Sequence, residues 1–436
     1  MAYSNPTYGA VQAILKTKYP DGAIPQALYK DFPFLSLVKK TTNFDGDFRV
    51  VALQNERPQG SSSDFTVAQG VATNGLKGGG GTYNRFQVYR TRHYGILRMD
   101  GETMKAAVRS AGALVDLWNQ ETDGISKNEM ADLEFQLFGD GTGTRGVVSS
   151  YASGTGIITL ATSANAVYFN LNMRVQIYSS GGTERTQSGY YFYVSAIDRK
   201  AGTVTIVAVP TTGGAGVVPT FGTNPTSTDV IVRAGDYQAA ASVGTATSGA
   251  AAGPVCGVQA WIPSTVTSTA YWGLDRTSDP VRLAGQRLNA SGLPMNEALM
   301  EAEAQVAIQG VGHPDTILAN PLDLQNLKKA LGVDIRYDRV ASNIAGVSFK
   351  AIEYDGMHGP IKIIPAPFCP RNKAMMLQLQ SWELATLGPA PQMLDWDNND
   401  YLRVSNNDQY EVRFGHYGQF ICNNPGANIV IDSFGL

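Results

Sequence analysis

Phe48-Arg-Val-Val-Ala-Leu-Gln54 and, further on, Arg85-Phe-Gln-Val-Tyr-Arg-Thr-Arg-His-Tyr-Gly-Ile-Leu-Arg-Met99 decide the fold of this chain. Phe48, Val50 and Ala52 alternate with Arg49, Val51 and Leu53, and Phe86, Val88, Tyr89 and then Tyr94, Ile96 and Met99 read as strands on the returning side. Alternation of this kind marks strands. Between the two sides lie Asn55-Glu-Arg-Pro-Gln-Gly-Ser-Ser-Ser63 and Lys77-Gly-Gly-Gly-Gly-Thr82. That tip is too polar and glycine-rich to pack on its own domain. The expectation is one extended hairpin from Asn43 to Asp100. A compact monomer rarely carries such an arm. Its partner is expected on another subunit, through Glu56, Arg57, Lys77, Arg85, Arg90 and Arg92.

A helix-patterned stretch follows at once, from Glu102 to Phe138. Met104, Val108, Ala111, Leu114, Val115 and Trp118 recur at three and four, as do Ile125, Met130, Leu133 and Leu137. Gly124 marks an expected bend. Gly139-Asp-Gly-Thr-Gly-Thr-Arg-Gly146 ends the helix, because glycines take the positive φ that a terminating helix needs. A phosphate-loop reading of that run fails: it follows a helix, not a strand, and has no Gly-Lys-Ser/Thr ending.

From Val147 to about Gly235 short strands with turns between them take over. They are Gly156–Leu160, Arg174–Tyr178, Tyr190–Val194, Thr203–Val207 and Asp229–Val232, with Asp198-Arg-Lys-Ala-Gly202 as a hairpin turn. This reads as a small inserted β-barrel or β-sandwich. Mixed patterns then return. Met295–Gln309 is an expected helix with Gly310 past its end. Asn320 to Gly332 carries a full set of helix signals: Asn as N-cap, Pro in the first turn, lysines in the last, Gly as stop. Strands are expected at Phe349–Tyr354, Ile361–Ile364, Ala374–Leu379, Tyr410–Phe420 and Asn428–Asp432.

Composition narrows the function classes. Only 16% of the 436 residues are charged and 47 are glycine, which suits a surface largely covered by other protein, since interface cores are depleted in charge. A net charge of −3 supplies no global basic field for nucleic acid. The first forty residues are locally basic, and Lys16, Lys18, Lys39 and Lys40 are the candidates for a weak phosphate contact. Cys256, Cys369 and Cys422 are too far apart for a disulfide framework and fit buried thiols. No secretory signal and no membrane span are visible, so assembly in cytoplasm is expected.

Catalytic and metal chemistry find no motif. His93, His313, His358 and His416 show no ligand spacing, and structural roles are expected for all four. There is no nucleophile elbow and no Cys-x-x-Cys pair. No enzyme activity, cofactor or metal is expected.

The order of parts is an N-terminal arm, a long hairpin, a long helix, a glycine loop, a β insert, and a mixed α/β remainder with a final strand. That order resembles the major capsid proteins of tailed bacteriophages, with their Hong Kong 97-type shell fold. Leu137-Phe-Gly-Asp-Gly-Thr-Gly143 is similar to the family's helix-ending glycine stretch, and Thr316-Ile-Leu-Ala-Asn-Pro-Leu-Asp-Leu-Gln-Asn-Leu327 to its strand-to-helix segment. Ile364-Pro-Ala-Pro-Phe-Cys-Pro-Arg-Asn-Lys-Ala-Met-Met-Leu377 and Arg413-Phe-Gly-His-Tyr-Gly-Gln-Phe-Ile-Cys-Asn-Asn-Pro-Gly-Ala427 agree.

The resemblance implies an α+β chain with an arm at 1–42, the extended E-loop at 43–100, the spine helix and glycine loop at 101–146, the inserted β domain at 147–235, and the rest of the peripheral domain with the axial domain at 236–436. It implies self-assembly into hexamers and pentamers of an icosahedral virion shell around double-stranded DNA. The implied partners are a portal, a separate scaffolding protein and a decoration protein, with no membrane. Some such shells weld neighbours by a Lys-to-Asn isopeptide bond. Lys77 is the obvious donor, but the sequence names no acceptor, and a solvated arm lysine is the simpler reading. An encapsulin-type nanocompartment has the same fold, and an extracellular carbohydrate-binding β protein is the alternative from another class, suggested by Tyr190, Tyr191 and Tyr193.

Overall fold

The computed structural model describes residues 32–73, 81–102, 117–245, 253–331, 341–344, 347–350, 352–394, 402–405 and 407–435. Lys16, Lys18, Lys77 and most of the first half of the expected long helix lie outside the described residues.

A short helix α1 (Pro33–Leu37) opens the described chain, with proline in the first turn where no N–H is needed. Strand β1 (Lys39–Thr41) follows. The hairpin proper is β2 (Phe48–Glu56) paired antiparallel with β3 (Thr82–Tyr89), Val51 facing Phe86 and Arg49 facing Val88. Between them the tip carries a helix, α2 (Phe65–Thr73). Asp64 caps it by accepting the N–H groups of Thr66 at 2.7 Å and Val67 at 3.2 Å. Sequence reading did not anticipate this helix.

The hairpin is also shorter than expected. Strand β4 (Thr91–Asp100) turns away at Arg90 and pairs along its whole length with a strand near the C-terminus. Helix α3 (Leu117–Phe138) then continues through Gly124 as one element. It ends at Phe138, and Gly141 and Gly143 adopt φ of +82° and +77° just beyond.

Next comes a closed six-stranded barrel of β5 (Thr144–Ala152), β6 (Ile157–Leu160), β7 (Arg174–Tyr178), β8 (Tyr190–Asp198), β9 (Thr203–Pro210) and β10 (Val230–Arg233), in the order β10-β5-β6-β9-β8-β7. Closure leaves no edge. Ile158, Ile177, Val194, Val204, Ile206 and Ile231 fill its interior. The barrel starts at Thr144, inside the glycine loop and before the expected boundary at 147.

After the barrel come α4 (Val258–Trp261), α5 (Pro280–Ala284), β11 (Gln286–Asn289) and α6 (Met295–Gln309), which stops on left-handed Gly310. Then follow β12 (Thr316–Ala319) and α7 (Pro321–Leu331), with Asn320 Oδ1 accepting the Leu322 N–H at 3.1 Å. The remaining strands are β13 (Ala341–Ile344), β14 (Val347–Lys350), β15 (Ile352–Gly356), β16 (Gly359–Pro365), β17 (Lys373–Leu377), β18 (Trp382–Thr386), β19 (Gln392–Met393), β20 (Leu402–Arg403), β21 (Gln409–Cys422) and β22 (Ile429–Asp432).

Two sheets organise this body. In the first, β21 is the central strand, with β4 along one side and β20, β19 and β18 in turn along the other, and β1 beyond β18. The second is mixed, in the order β11-β22-β17-β12-β16-β15. Its alternate residues serve two cores: Ile317, Met376, Ile429 and Ile431 pack under α6 and α7, while Leu318, Met375, Leu377 and Val430 face the central core with α1, α3 and β18. Burial on both faces explains why these strands read as near-continuous apolar runs. All three cysteines are free and buried. Among the described residues no helix is long and apolar enough to cross a membrane.

Candidate assembly site

The β2–β3 register places Phe48, Val50, Ala52 and Gln54 on one face with Tyr89, Gln87, Arg85 and Tyr83. The opposite face packs inward through Val51, Phe86 and Val88. Phe86 meets Trp261 edge to face, with ring centroids 5.2 Å apart, and Arg49 pairs with Glu383 at 2.6 Å, which fixes the root of the hairpin to β18. The outward face is also apolar: Phe48 is 38%, Val50 48% and Tyr83 70% exposed, and on the tip helix Phe65 is 79% exposed. On this face Tyr89 meets the body, stacking on Trp272 with ring centroids 6.3 Å apart, while Phe48, Val50 and Tyr83 stay exposed. Contiguous exposed apolar surface of this kind marks an interaction site.

The charged candidates from the sequence fall in different places. Arg57 and Arg85 are exposed on the hairpin. Glu56 is exposed but already pairs with Arg282 of the body at 2.6 Å. Arg90 turns inward, donating to the Phe44 carbonyl at 2.5 Å with its guanidinium 5.3 Å from that ring, so it is a hinge residue and not an outward contact. Arg92 is exposed but sits on β4 in the body, not on the hairpin. Lys39 and Lys40 are exposed on β1, which pairs parallel with β18.

Glu134 of α3 anchors the start of the described chain, a role that sequence reading missed. Its carboxylate accepts the N–H groups of Phe34 at 3.0 Å and Leu35 at 2.6 Å in a fully buried setting. Burial pushes the carboxyl up to about 7, against the pull of those two N–H groups and of Lys40. A folded pKa raised above the unfolded value contributes stability that is full below 4.5 and is lost as pH rises through about 7. Glu134→Gln is therefore expected to flatten the fall in stability between pH 4.5 and 7, a difference of roughly 3 kcal/mol or less, read from urea midpoints of the two unassembled proteins. Parallel pH profiles for the two proteins would rule out this role.

A buried ionic cluster lies where the barrel meets α3. Asp132 accepts from Arg145 at the start of β5 and from Arg233 at the end of β10. His93 of β4 lies between two carboxylates, Nδ1 2.6 Å from Glu129 and Nε2 3.0 Å from Asp132. Burial opposes its charge, but the hydrogen bonds to Asp132 and Glu129 prevail and raise its pKa to about 10. His416 of β21 stacks on it with centroids 5.4 Å apart, and burial lowers its pKa to about 3. Gly95 makes room for Glu129, since a Cβ there would lie 2.5 Å from Glu129 Oε1. Sequence spacing gives no sign of this cluster, because only the β4–β21 register brings His93 opposite His416.

The family model of the SU10 major capsid protein matches residues 231–400. No curated protein sequence matches the chain. Among solved structures, the cyanophage A-1(L) capsid protein aligns with a TM-score of 0.50 at 10% identity, covering 99% of each chain. The encapsulin SrpI of Synechococcus elongatus aligns at 0.47 and 9% identity, covering 99% of this chain and 96% of its own. The Mycobacterium phage Adephagia structure aligns at 0.43 and 9%, covering 99% of each. The chain therefore has the Hong Kong 97-type fold of tailed-phage capsid proteins, with residues 231–400 similar to the SU10 major capsid protein family.

Proposed function

We propose that copies of this chain form the hexamers and pentamers of an icosahedral shell around double-stranded DNA, each hairpin lying across a neighbouring subunit. The observation that carries this reading is the outward face of Phe48, Val50 and Tyr83, apolar and uncovered by its own chain. The capsid family match over residues 231–400 favours a virus shell over an enzyme-loaded compartment. Arg57 and Arg85, exposed on the hairpin, suit the rim of that contact. Lys39 and Lys40, with Lys16 and Lys18 before them, supply a weak, salt-sensitive DNA contact on the lumen side. The barrel offers a closed surface unit on which a decoration protein can sit; a portal and a separate scaffolding protein complete the partner set. Assembly proceeds in the host cytoplasm before the protein becomes part of the virion.

Negative-stain electron microscopy of the purified chain, alone and with the phage's scaffolding protein, is the test. Closed icosahedral shells are the expected result, with DNA and no enzyme cargo in particles taken from infected cells. Monomers or small rings only, at high concentration in both preparations, would overturn the reading.

A further inference from the structure

Three side chains from three elements bring ligand atoms together beneath the barrel: His93 of β4, Glu129 of α3 and His416 of β21, all within 4.8 Å of one another. His416 is 1% exposed, and neither of its ring nitrogens has a hydrogen-bond partner. A buried imidazole with both nitrogens unsatisfied carries its full desolvation cost with no return. Nothing in shell assembly accounts for it. Meanwhile Glu129 reaches the site only because position 95 has no side chain.

We propose that His93, Glu129 and His416 form a binding site for one divalent transition-metal ion, with zinc the best match to two imidazoles and a carboxylate. Magnesium and calcium prefer all-oxygen shells, whereas imidazole suits zinc, cobalt and nickel. The ion takes the place of the proton on His93 Nδ1, which faces Glu129 at 2.6 Å. That N–H bond breaks, a nitrogen–metal bond forms, the proton leaves to solvent, and no electrons are exchanged. His93 Nε2–H keeps its bond to Asp132 at 3.0 Å, the carboxylate–histidine–metal arrangement that orients a ligating ring. Arg145 and Arg233 lie on the far side of Asp132 and are held by it, and Asp236 adds a further carboxylate beside His93. Bound there, the ion would tie together the central strand, its neighbour and the long helix at the root of the hairpin.

The test uses the full chain, stripped with a chelator and then titrated with zinc chloride. The expected result is one zinc ion retained per chain after gel filtration, with protons released on binding and no competition from magnesium. Cobalt chloride should give visible absorption of a four- or five-coordinate site. His416→Phe keeps a ring against His93 but removes both nitrogens. It should weaken zinc binding by more than the roughly 10–100-fold that loss of a supporting partner costs. Wild-type protein that retains no zinc, or no more than His416→Phe, overturns the proposal and leaves the imidazole nitrogens to an ordered water. Should His416→Phe fail to fold, the wild-type stoichiometry and cobalt spectrum decide alone.

Discussion

Changing Phe48 and Val50 together to Glu is expected to abolish shells while leaving a folded monomer. Both side chains point away from the core, across from Tyr89 and Gln87, and the inward face that holds the ribbon to the body, with Val51, Phe86 and Val88, is untouched. Within the chain Phe48 gives up one ring contact, with Tyr89 at 5.6 Å, and exposed substitutions of this sort cost little. Between subunits the effect is much larger. Each apolar side chain removed from a contact forfeits about 1.5–3 kcal/mol, before the cost of burying a carboxylate without a partner. Two such losses weaken every hairpin contact by more than about a hundredfold. A shell repeats that contact at every subunit.

Deleting Ser61 to Gly80, which removes the tip helix with its exposed Phe65 and Val67, should act in the same direction. The strand ends at Glu56 and Thr82 already face each other and can be joined directly. Electron microscopy and sedimentation report assembly, and near-ultraviolet circular dichroism reports the monomer fold. Normal shells from both variants would refute the hairpin's role.

What could be read from sequence follows from how local each signal is. The barrel strands, α6 and α7 showed themselves through alternation, caps and stops carried by neighbouring residues. Strand β18 did not, because all five residues from Trp382 to Thr386 are buried and a strand covered on both faces shows no alternation. The buried positions pass from even numbers in β3, Phe86 and Val88, to odd numbers in β4, Leu97 and Met99, but such a shift does not name the new partner strand. Thr144 and Arg145 read as the tail of a glycine loop, although they open the barrel. The tip helix escaped because its apolar residues, Phe65 and Val67, are exposed and form no stripe against a core. The ionic cluster needed two facts of register and one of closure: His93 opposite His416, Glu129 and Asp132 three apart on one helix, and Arg145 and Arg233 at the adjoining ends of paired strands. The order of parts survives all of this, since it depends on the succession of elements and not on their pairing.

Asp132 gives the second large effect, because its carboxylate accepts from both barrel arginines, Arg145 and Arg233. Arg145 is almost as buried as Asp132 itself, and its other contacts are the Tyr168 carbonyl at 3.1 Å and the Phe135 ring at 4.6 Å, neither of which carries a charge. Asp132→Ala removes the carboxylate that Arg145 bonds directly and leaves Asp236 as a remaining nearby negative charge. Breaking a buried pair in this way costs about 3–5 kcal/mol, and the loss should appear as a lowered urea midpoint of the unassembled chain. Asp132→Ala with Arg145→Met and Arg233→Met should recover much of it, since a buried ion pair replaced whole by apolar groups is close to neutral.

The pH dependence has a definite sign. Burial opposes the charge of Asp132, but Arg145, Arg233 and His93 hold its carboxyl well below the ordinary aspartate range. Its contribution is therefore present above an unfolded pKa of 3.8 and lost only as pH falls through the lower folded value. The gap between wild type and Asp132→Ala should be constant from neutral pH down to about 4 and narrow below it. The same link joins the barrel to the body. Excising Ser150 to Ala234 removes Arg233 and leaves Asp132 with Arg145 and His93, so a chain without that segment should fold with reduced stability and regain part of it on Asp132→Asn. A single Asp132→Ala variant within about 1 kcal/mol of wild type would show that the barrel is held by its packing alone.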